Sequence, residues 1–511
     1  MRHRDVIDET YEIIDFMNLF NNKEGLLNHS NKEKFAQYYT PENIAIYMAS
    51  MFKAPKKRII RIIDPGCGFG ILTVAFLQRL LQIEHVKVKK AIVTLYEIDI
   101  HAIQRLKNIM ELVSFKCMEK GLEVIYTINN DNFITSFSSI KDINESHKYD
   151  YVIVNPPYMK LPVESDDNIK LEKLNIKVPN YYAAFVSLAQ KMLINKGELV
   201  AITPRSFCNG AYFLNFRQDF FKKMVFDKIH LFESRTDLFK EDDVLQENII
   251  FHCIKKEPKN SDKINVIHSY NDSLDDVVIK KRRLEDIIFP NDDNLIIRIL
   301  KDDEDKEISK KINALPCKLS DLNIEVSTGP VVDFRERKET LSKEKFENSI
   351  PLFCSAHLTM GGIKWPKQDV KKYNFIINDE INKSKMRKNG NYVLVKRMTS
   401  KEEKRRITSA VCGGRNYDYD YFAFDNKVNY YHRNKEGLPL VIAKGLNIFL
   451  NSTIVDRYFR TFSGNTQVNV TDLKSLNYPS EFQLHKLGEK YENIYIHQNL
   501  IDKEIEKILF S

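Results

Sequence analysis

The sequence predicts an α/β fold, a parallel β-sheet with helices on both faces, followed by a separate mixed α+β domain. Three observations predict it. Short β-branched apolar runs alternate with helix-length segments between residues 59 and 254. A glycine-dense turn follows the first of these runs. Beyond about residue 258 the alternation stops, and short strands and turns take over. With 511 residues the chain has room for two or three domains. Its 43% hydrophobic and 29% charged residues give ample core and exclude disordered or collagen-like classes. Lys and Arg outnumber Asp and Glu by 78 to 70, and the resulting +8 permits an anionic partner without demanding one.

Residues 1–34 read as amphipathic helix. The apolar runs Ile59–Ile63, Ala91–Tyr96, Leu122–Ile128, Tyr151–Val154, Glu198–Ile202 and Ile249–Ile254 are near-continuous, as expected of parallel strands covered on both faces. The polar stretch Lys255–Lys263, with Pro258, reads as a linker or loop, followed by a Lys/Asp-rich helix over 291–313. Residues 320–480 mix short strands and turns, and 481–511 read as helix. The expected domains are therefore 1–260, a connection over 261–320, and 321–511. Seven scattered cysteines without a CxxC pair predict no disulfide framework, no metal site and a reducing compartment. The N-terminus shows no signal-peptide pattern, and no apolar run is long enough for a membrane span, so a cytoplasmic location is expected.

Glycine is scarce, at 17 residues, yet three fall in the turn Asp64-Pro65-Gly66-Cys67-Gly68-Phe69-Gly70. A strand entering a glycine turn that opens a helix lets backbone approach a ligand closely. No lysine follows to hold phosphates, and the acid before the turn suits a ligand with a cationic amine, such as S-adenosyl-L-methionine (SAM). The next strand ends at Glu97-Ile98-Asp99, where Glu97, with Asp99 second, is placed to accept from ribose hydroxyls. After the third strand, Asp131 is suited to accept from an adenine amine, with Asn132 beside it and Phe133 packing on the ring.

About three βα units past Gly70, the run Tyr151–Val154 ends in Asn155-Pro156-Pro157-Tyr158. Both turns therefore open at the carboxyl edge of one sheet, where open α/β folds bind ligands. Consecutive prolines fix φ and present carbonyls without a competing N–H. The Asn155 side-chain oxygen and the Pro156 carbonyl can accept both hydrogens of a planar exocyclic amine, aiming its lone pair at a methyl donor. Tyr158 supplies a face for stacking a base. Such chemistry works by positioning and electrostatics.

In these residues the chain resembles the gamma-class, TaqI-like SAM-dependent DNA adenine methyltransferases of type II restriction–modification systems. Phe35-Ala36-Gln37-Tyr38-Tyr39-Thr40-Pro41 is similar to the segment that closes over the methionine end of SAM in that family, with Tyr39 where the family has Phe. Thr40 and Pro41 also read as N-cap and first residue of a helix. Asn180–Phe185 resembles the next pocket-lining helix, although Phe185 reads equally as core. Asp237-Leu238-Phe239 resembles a hairpin carrying an aromatic that stacks on the flipped adenine, a role for Phe239 with Phe232 as rival. The order of motifs is that of the gamma class. More loosely, segments in 326–334, 394–406 and 463–468 look like recognition domains of the PstI/BsuBI-type subgroup.

The resemblance implies a Rossmann-like SAM-dependent methyltransferase sheet followed by a DNA target-recognition domain. It implies SAM as cofactor, with Tyr39, Thr40, Pro41, Asp64, Gly66, Cys67, Gly68, Gly70, Glu97, Ile98, Asp131, Asn132, Phe133, Asn155 and Pro157 around it. Asn155, Pro156 and Tyr158 would be catalytic. The partners implied are double-stranded DNA and, functionally, a cognate restriction endonuclease, with the enzyme acting as a monomer. Lys396, Arg397, Lys404, Arg405, Arg406, Asn465 and Gln467 would hold phosphates or read base edges. The run 396–406 reads alternatively as a solvated helix face, since Glu402 and Glu403 interrupt it. The second functional reading keeps the chemistry and changes the acceptor to an RNA adenine or a protein glutamine amide. Against it stands the C-terminal domain, since such enzymes are usually shorter.

Overall fold

A computed structural model describes residues 40–511 except 86, 139–146, 234–246, 271–273, 360–361 and 401. The helix expected over 1–34, Tyr39 and Phe239 lie outside the described residues. The chain divides into two compact units, Met1–Lys301 and Asp302–Ser511.

The first unit is built on strands β1 (Ile59–Pro65), β2 (Lys90–Tyr96), β3 (Glu123–Asn129), β4 (Tyr149–Val154), β5 (Leu193–Pro204), β6 (Met224–Phe232), β7 (Asn248–Lys255), β8 (Lys263–Ser269) and β9 (Val278–Arg283). They form one sheet in the order β3-β2-β1-β4-β5-β7-β6-β8-β9. Strands β1 to β5 are parallel, as their apolar runs predict. All six residues of β4 are buried. Val152 and Val154 enter one apolar cluster and Tyr151 and Ile153 another, so successive side chains pack against opposite layers.

Three expectations are corrected. The sheet is mixed, because β7 runs antiparallel to both β5 and β6. A strand buried on both faces reads the same in either direction, so Ile249–Ile254 carried no sign of its sense. The connection expected over 261–320 instead contributes β8 and β9 to the sheet. Strand β9, VIKKRR, is an edge strand whose cations resemble linker composition. The helix expected over 291–313 spans only Asp303–Asn313, where Asp302 Oδ1 caps it by accepting from Asp305 N at 2.7 Å. Upstream, Ile296, Ile297, Ile299 and Leu300 are buried without forming a helix.

The second unit holds a four-stranded antiparallel sheet, in the order Glu325–Thr328, Val428–His432, Tyr392–Lys396 and Ser409–Cys412. A five-stranded sheet includes Ser349–Phe353 and Tyr421–Phe424. Two helices, Leu440–Leu450 and Thr453–Phe462, lie where only strands and turns were expected. The first is apolar almost all round and mostly buried, so it lacks the one-sided stripe that betrays a surface helix.

Residues 402–408 form no helix, and Arg405 and Arg406 within them are buried. This removes Arg405 and Arg406 from the expected DNA-binding set. Arg406 is 0% exposed and donates to Thr399 Oγ1 at 3.2 Å, Ser463 O at 3.1 Å and Asn465 O at 2.5 Å. Arg405, also buried, donates to Gln498 Oε1 at 2.6 Å and Ser452 O at 2.9 Å. Both guanidiniums hold the fold together from within. Arg406→Met leaves those carbonyls buried and unpaired. It is expected to cost about 2–4 kcal/mol, read as a lower denaturation midpoint, whereas Lys404→Ala at an exposed position leaves the midpoint unchanged.

Candidate active site

Strands β1 and β4 are neighbours, and the strand order reverses between them, so their carboxyl ends flank the crevice of the sheet. Asp64 is the last residue but one of β1 and is fully buried. Its Oδ2 accepts from Thr73 Oγ1 at 2.8 Å, and its Oδ1 is buried without a hydrogen-bond partner among the described residues. Burial pushes its pKa up to about 7, against the hydrogen bonds from Thr73 and with a smaller contribution from the Glu97 charge.

Beyond Asp64 the chain makes the glycine turn. Gly66 N and Cys67 N both donate to Tyr96 O at 2.9 Å, tying the turn to the end of β2. Gly66 has φ +73° and Gly70 has φ +83°, the left-handed region that favours glycine. A Cβ on Gly66 would meet Phe185 Cε1 at 3.4 Å, and one on Gly70 would stand 2.7 Å from Leu106 Cδ1. Gly70 is also the N-cap of the helix Ile71–Gln82.

Glu97 follows β2 and faces the turn. Its Oε2 accepts from Gly68 N and its Oε1 from Asp99 N, both at 2.8 Å, and burial raises its pKa. The Glu97 carboxylate thus sits against the bare backbone of the turn. Asp99 is engaged elsewhere, since its Oδ1 accepts from His101 N at 3.0 Å and caps the helix Ile100–Glu119. Ile98, between the two acids, is 46% exposed.

After β3, Asp131 is exposed and accepts from Asn132 N at 2.8 Å and Ser136 Oγ at 2.6 Å. Asn132 Oδ1 accepts from Ile134 N at 2.8 Å, starting a short helix, and its Nδ2 donates to Asp167 Oδ1 at 3.0 Å. Phe133 is 2% exposed, with its ring packed against Tyr96, Phe137 and Phe185. It therefore belongs to the core beneath the crevice. Phe185 is buried in the core, where a Cβ on Gly66 would meet its ring.

At the end of β4 the Asn155 amide is held from both sides. Its Nδ2 donates to Thr40 Oγ1 at 3.0 Å, and its Oδ1 accepts from Tyr158 OH at 3.0 Å. Thr40 is not the helix cap. Pro41 takes that position ahead of Glu42–Ser50, which leaves the threonine hydroxyl to Asn155. Pro156 is buried and Tyr158 half-buried, with the Tyr158 ring edge-on to Tyr182 at 6.5 Å. Phe232, the alternative stacking aromatic, is buried and stacked on His230 at 4.2 Å, so it faces the core. Sequence reasoning missed Thr73 and the link from Thr40 to Asn155. The signal for Thr73 was a hydroxyl in the first turn of the helix after the glycines.

The donor set suits SAM. Asp64 Oδ1, without a hydrogen-bond partner among the described residues, matches an ammonium, and the Glu97 carboxylate retains acceptor capacity for a diol. In the second unit, Arg397 donates to Asn426 O at 2.9 Å and to Gln467 Oε1 at 3.2 Å. Lys404 is exposed, while Lys396 and Asn465 are half-buried.

The family described as Eco57I restriction-modification methylase matches residues 74–239. The chain is 39% identical over 485 residues to the type II methyltransferase M.PstI of Providencia stuartii, covering 94% of each chain. It is 38% identical over 491 residues to the type II methyltransferase M.BsuBI of Bacillus subtilis, covering 94% of this chain and 95% of that one. Similarity to the type II methyltransferase M.AccI of Acinetobacter calcoaceticus is 24% over 258 residues, 49% of this chain and 43% of that one.

Proposed function

Because the chain belongs to the type II methyltransferases of restriction–modification systems, we propose that it methylates the exocyclic N6 amine of an adenine flipped out of duplex DNA, protecting that DNA from a cognate endonuclease. The observation that carries this reading is the Asn155-Pro156-Pro157-Tyr158 turn beside the glycine turn, with the Asn155 amide oriented by Thr40 and Tyr158. SAM, when bound, supplies an electrophilic methyl group. Asp64 and Glu97 hold its amine and its ribose. Asn155 Oδ1 and the Pro156 carbonyl accept the two amine hydrogens, which raises electron density on the nitrogen. Tyr158 keeps its hydroxyl on Asn155 and offers its ring to the base. An adenine inside a duplex cannot reach this crevice, so it leaves the stack first. The second unit holds the flanking duplex, with Lys396, Arg397, Lys404, Asn465 and Gln467 as its expected contacts, and a monomer suffices.

Incubating the protein with tritiated SAM and, separately, duplex DNA, RNA and protein tests the reading. Label recovered as N6-methyladenine from DNA supports it, and label confined to RNA or protein overturns it. Thr40 adds a finer expectation. Thr40→Val preserves shape but removes the acceptor from Asn155 Nδ2, so the amide can turn its NH2 toward the substrate. Single-turnover methylation at saturating SAM is expected to fall about 10²-fold, with Thr40→Ser restoring most of it.

A further inference from the structure

We propose that Phe334 is an aromatic wedge of the second unit that enters the base stack of the bound duplex, with the cations beside it on the flanking phosphates. The inference rests on the reading of DNA as substrate and adds a contact that no motif assigns. Phe334 is 76% exposed. Single exposed apolar residues are common on surfaces and need no explanation. This one differs in how firmly its turn is clamped.

The short 3-10 turn Asp333–Arg335 is fixed on both sides. Before it, Val331 is buried, donates to Phe424 O at 3.1 Å and accepts from Asn426 N at 2.7 Å. Asp333 Oδ1 accepts from Phe334 N at 2.9 Å, while its Oδ2 takes the Lys372 ammonium, which also lies 3.6 Å from the buried Asp425. After it, Arg335 N and Glu336 N donate to Val332 O at 2.8 and 3.2 Å, and Glu336 is paired with Lys385 at 2.6 Å. The phenylalanine is thus presented on a braced support.

Its surroundings are basic. The Arg335 guanidinium stands 5.6 Å from the Phe334 ring centroid. The supporting turn Asp425–Lys427, in which Lys427 N donates to Asp425 Oδ1 at 2.8 Å, brings in Lys427. Arg397, which donates to Asn426 O and whose N–H donates to Lys427 O at 3.0 Å, continues the surface to Gln467. The carboxylates within the support are already paired, with Asp333 on Lys372 and Glu336 on Lys385. A rigid aromatic edge in a cationic rim fits the chemistry of a wedge that unstacks bases while neighbouring arginines and lysines hold the backbone.

The test uses the full chain and a short duplex containing a site that the wild type methylates in plasmid DNA. Failure of the wild type to methylate DNA refutes the functional reading and is seen before any variant is made. Given a methylated site, Phe334→Ala is expected to weaken duplex binding about tenfold, the order found for loss of one base-stacking aromatic, with Phe334→Trp recovering it. The slope of log Kd against log salt stays at its wild-type value, because no phosphate contact is lost, and SAM affinity is unchanged. A 2-aminopurine beside the site brightens with wild type and stays dark with Phe334→Ala. Wild-type duplex affinity and fluorescence in Phe334→Ala overturn the proposal, as does a loss of binding accompanied by a shallower salt slope.

Discussion

Asn155→Ala is expected to lower the single-turnover rate of methyl transfer by about 10²–10³-fold or more, the cost of removing one preorganised polar contact to the reacting group. DNA and SAM affinities stay near wild type. The alanine leaves the strand and the two prolines in place and removes only the acceptor that Tyr158 and Thr40 together orient. Asn155→Asp separates acceptor from orientation. It keeps an oxygen for the amine but loses the Nδ2 donor to Thr40, so its rate falls between the two. Quench-flow measurement with tritiated SAM on duplex DNA reads both variants, and a wild-type rate in Asn155→Ala removes Asn155 from the chemistry.

The second large effect is on cofactor binding at Asp64. Its pKa in the fold, about 7, lies above that of an unfolded aspartate, so between about pH 4 and 7 the native state holds more of the proton than the unfolded chain. The stability this protonation contributes is complete below that window and is lost as pH rises through 7. A cationic amine at Oδ1 favours the ionised form. SAM affinity is therefore expected to rise with pH up to about 7 and to fall by up to about tenfold per unit below it. Asp64→Asn keeps the Thr73 hydrogen bond, binds SAM weakly and removes that pH dependence. Equilibrium binding of SAM between pH 5.5 and 8.5 measures both. A slope that persists in Asp64→Asn assigns the titration to another group.

The five parallel strands and both turns were legible because each is a local pattern. An apolar run, a glycine that must take positive φ and a proline pair carry their meaning within a few residues. The crevice acids followed, since a residue at the carboxyl end of a parallel strand has a place decided by the strand itself. Asp99 shows the limit: its neighbour Glu97 turned to the glycines, and Asp99 became a helix cap. The sense of β7 was not legible, because burial on both faces erases the alternation that distinguishes one side of a strand from the other.

Residue order was thus enough to locate the glycine turn, the Asn155-Pro156-Pro157-Tyr158 turn and their shared edge of the sheet, because backbone conformation and strand ends are local properties. Which charges and hydroxyls are available was decided by packing. Arg405 and Arg406 look like DNA contacts in the chain and are internal struts in the fold, while Thr40 reaches Asn155 across more than a hundred residues. Exposure and hydrogen-bond partners depend on what packs around a residue, and that is set by segments far away in sequence.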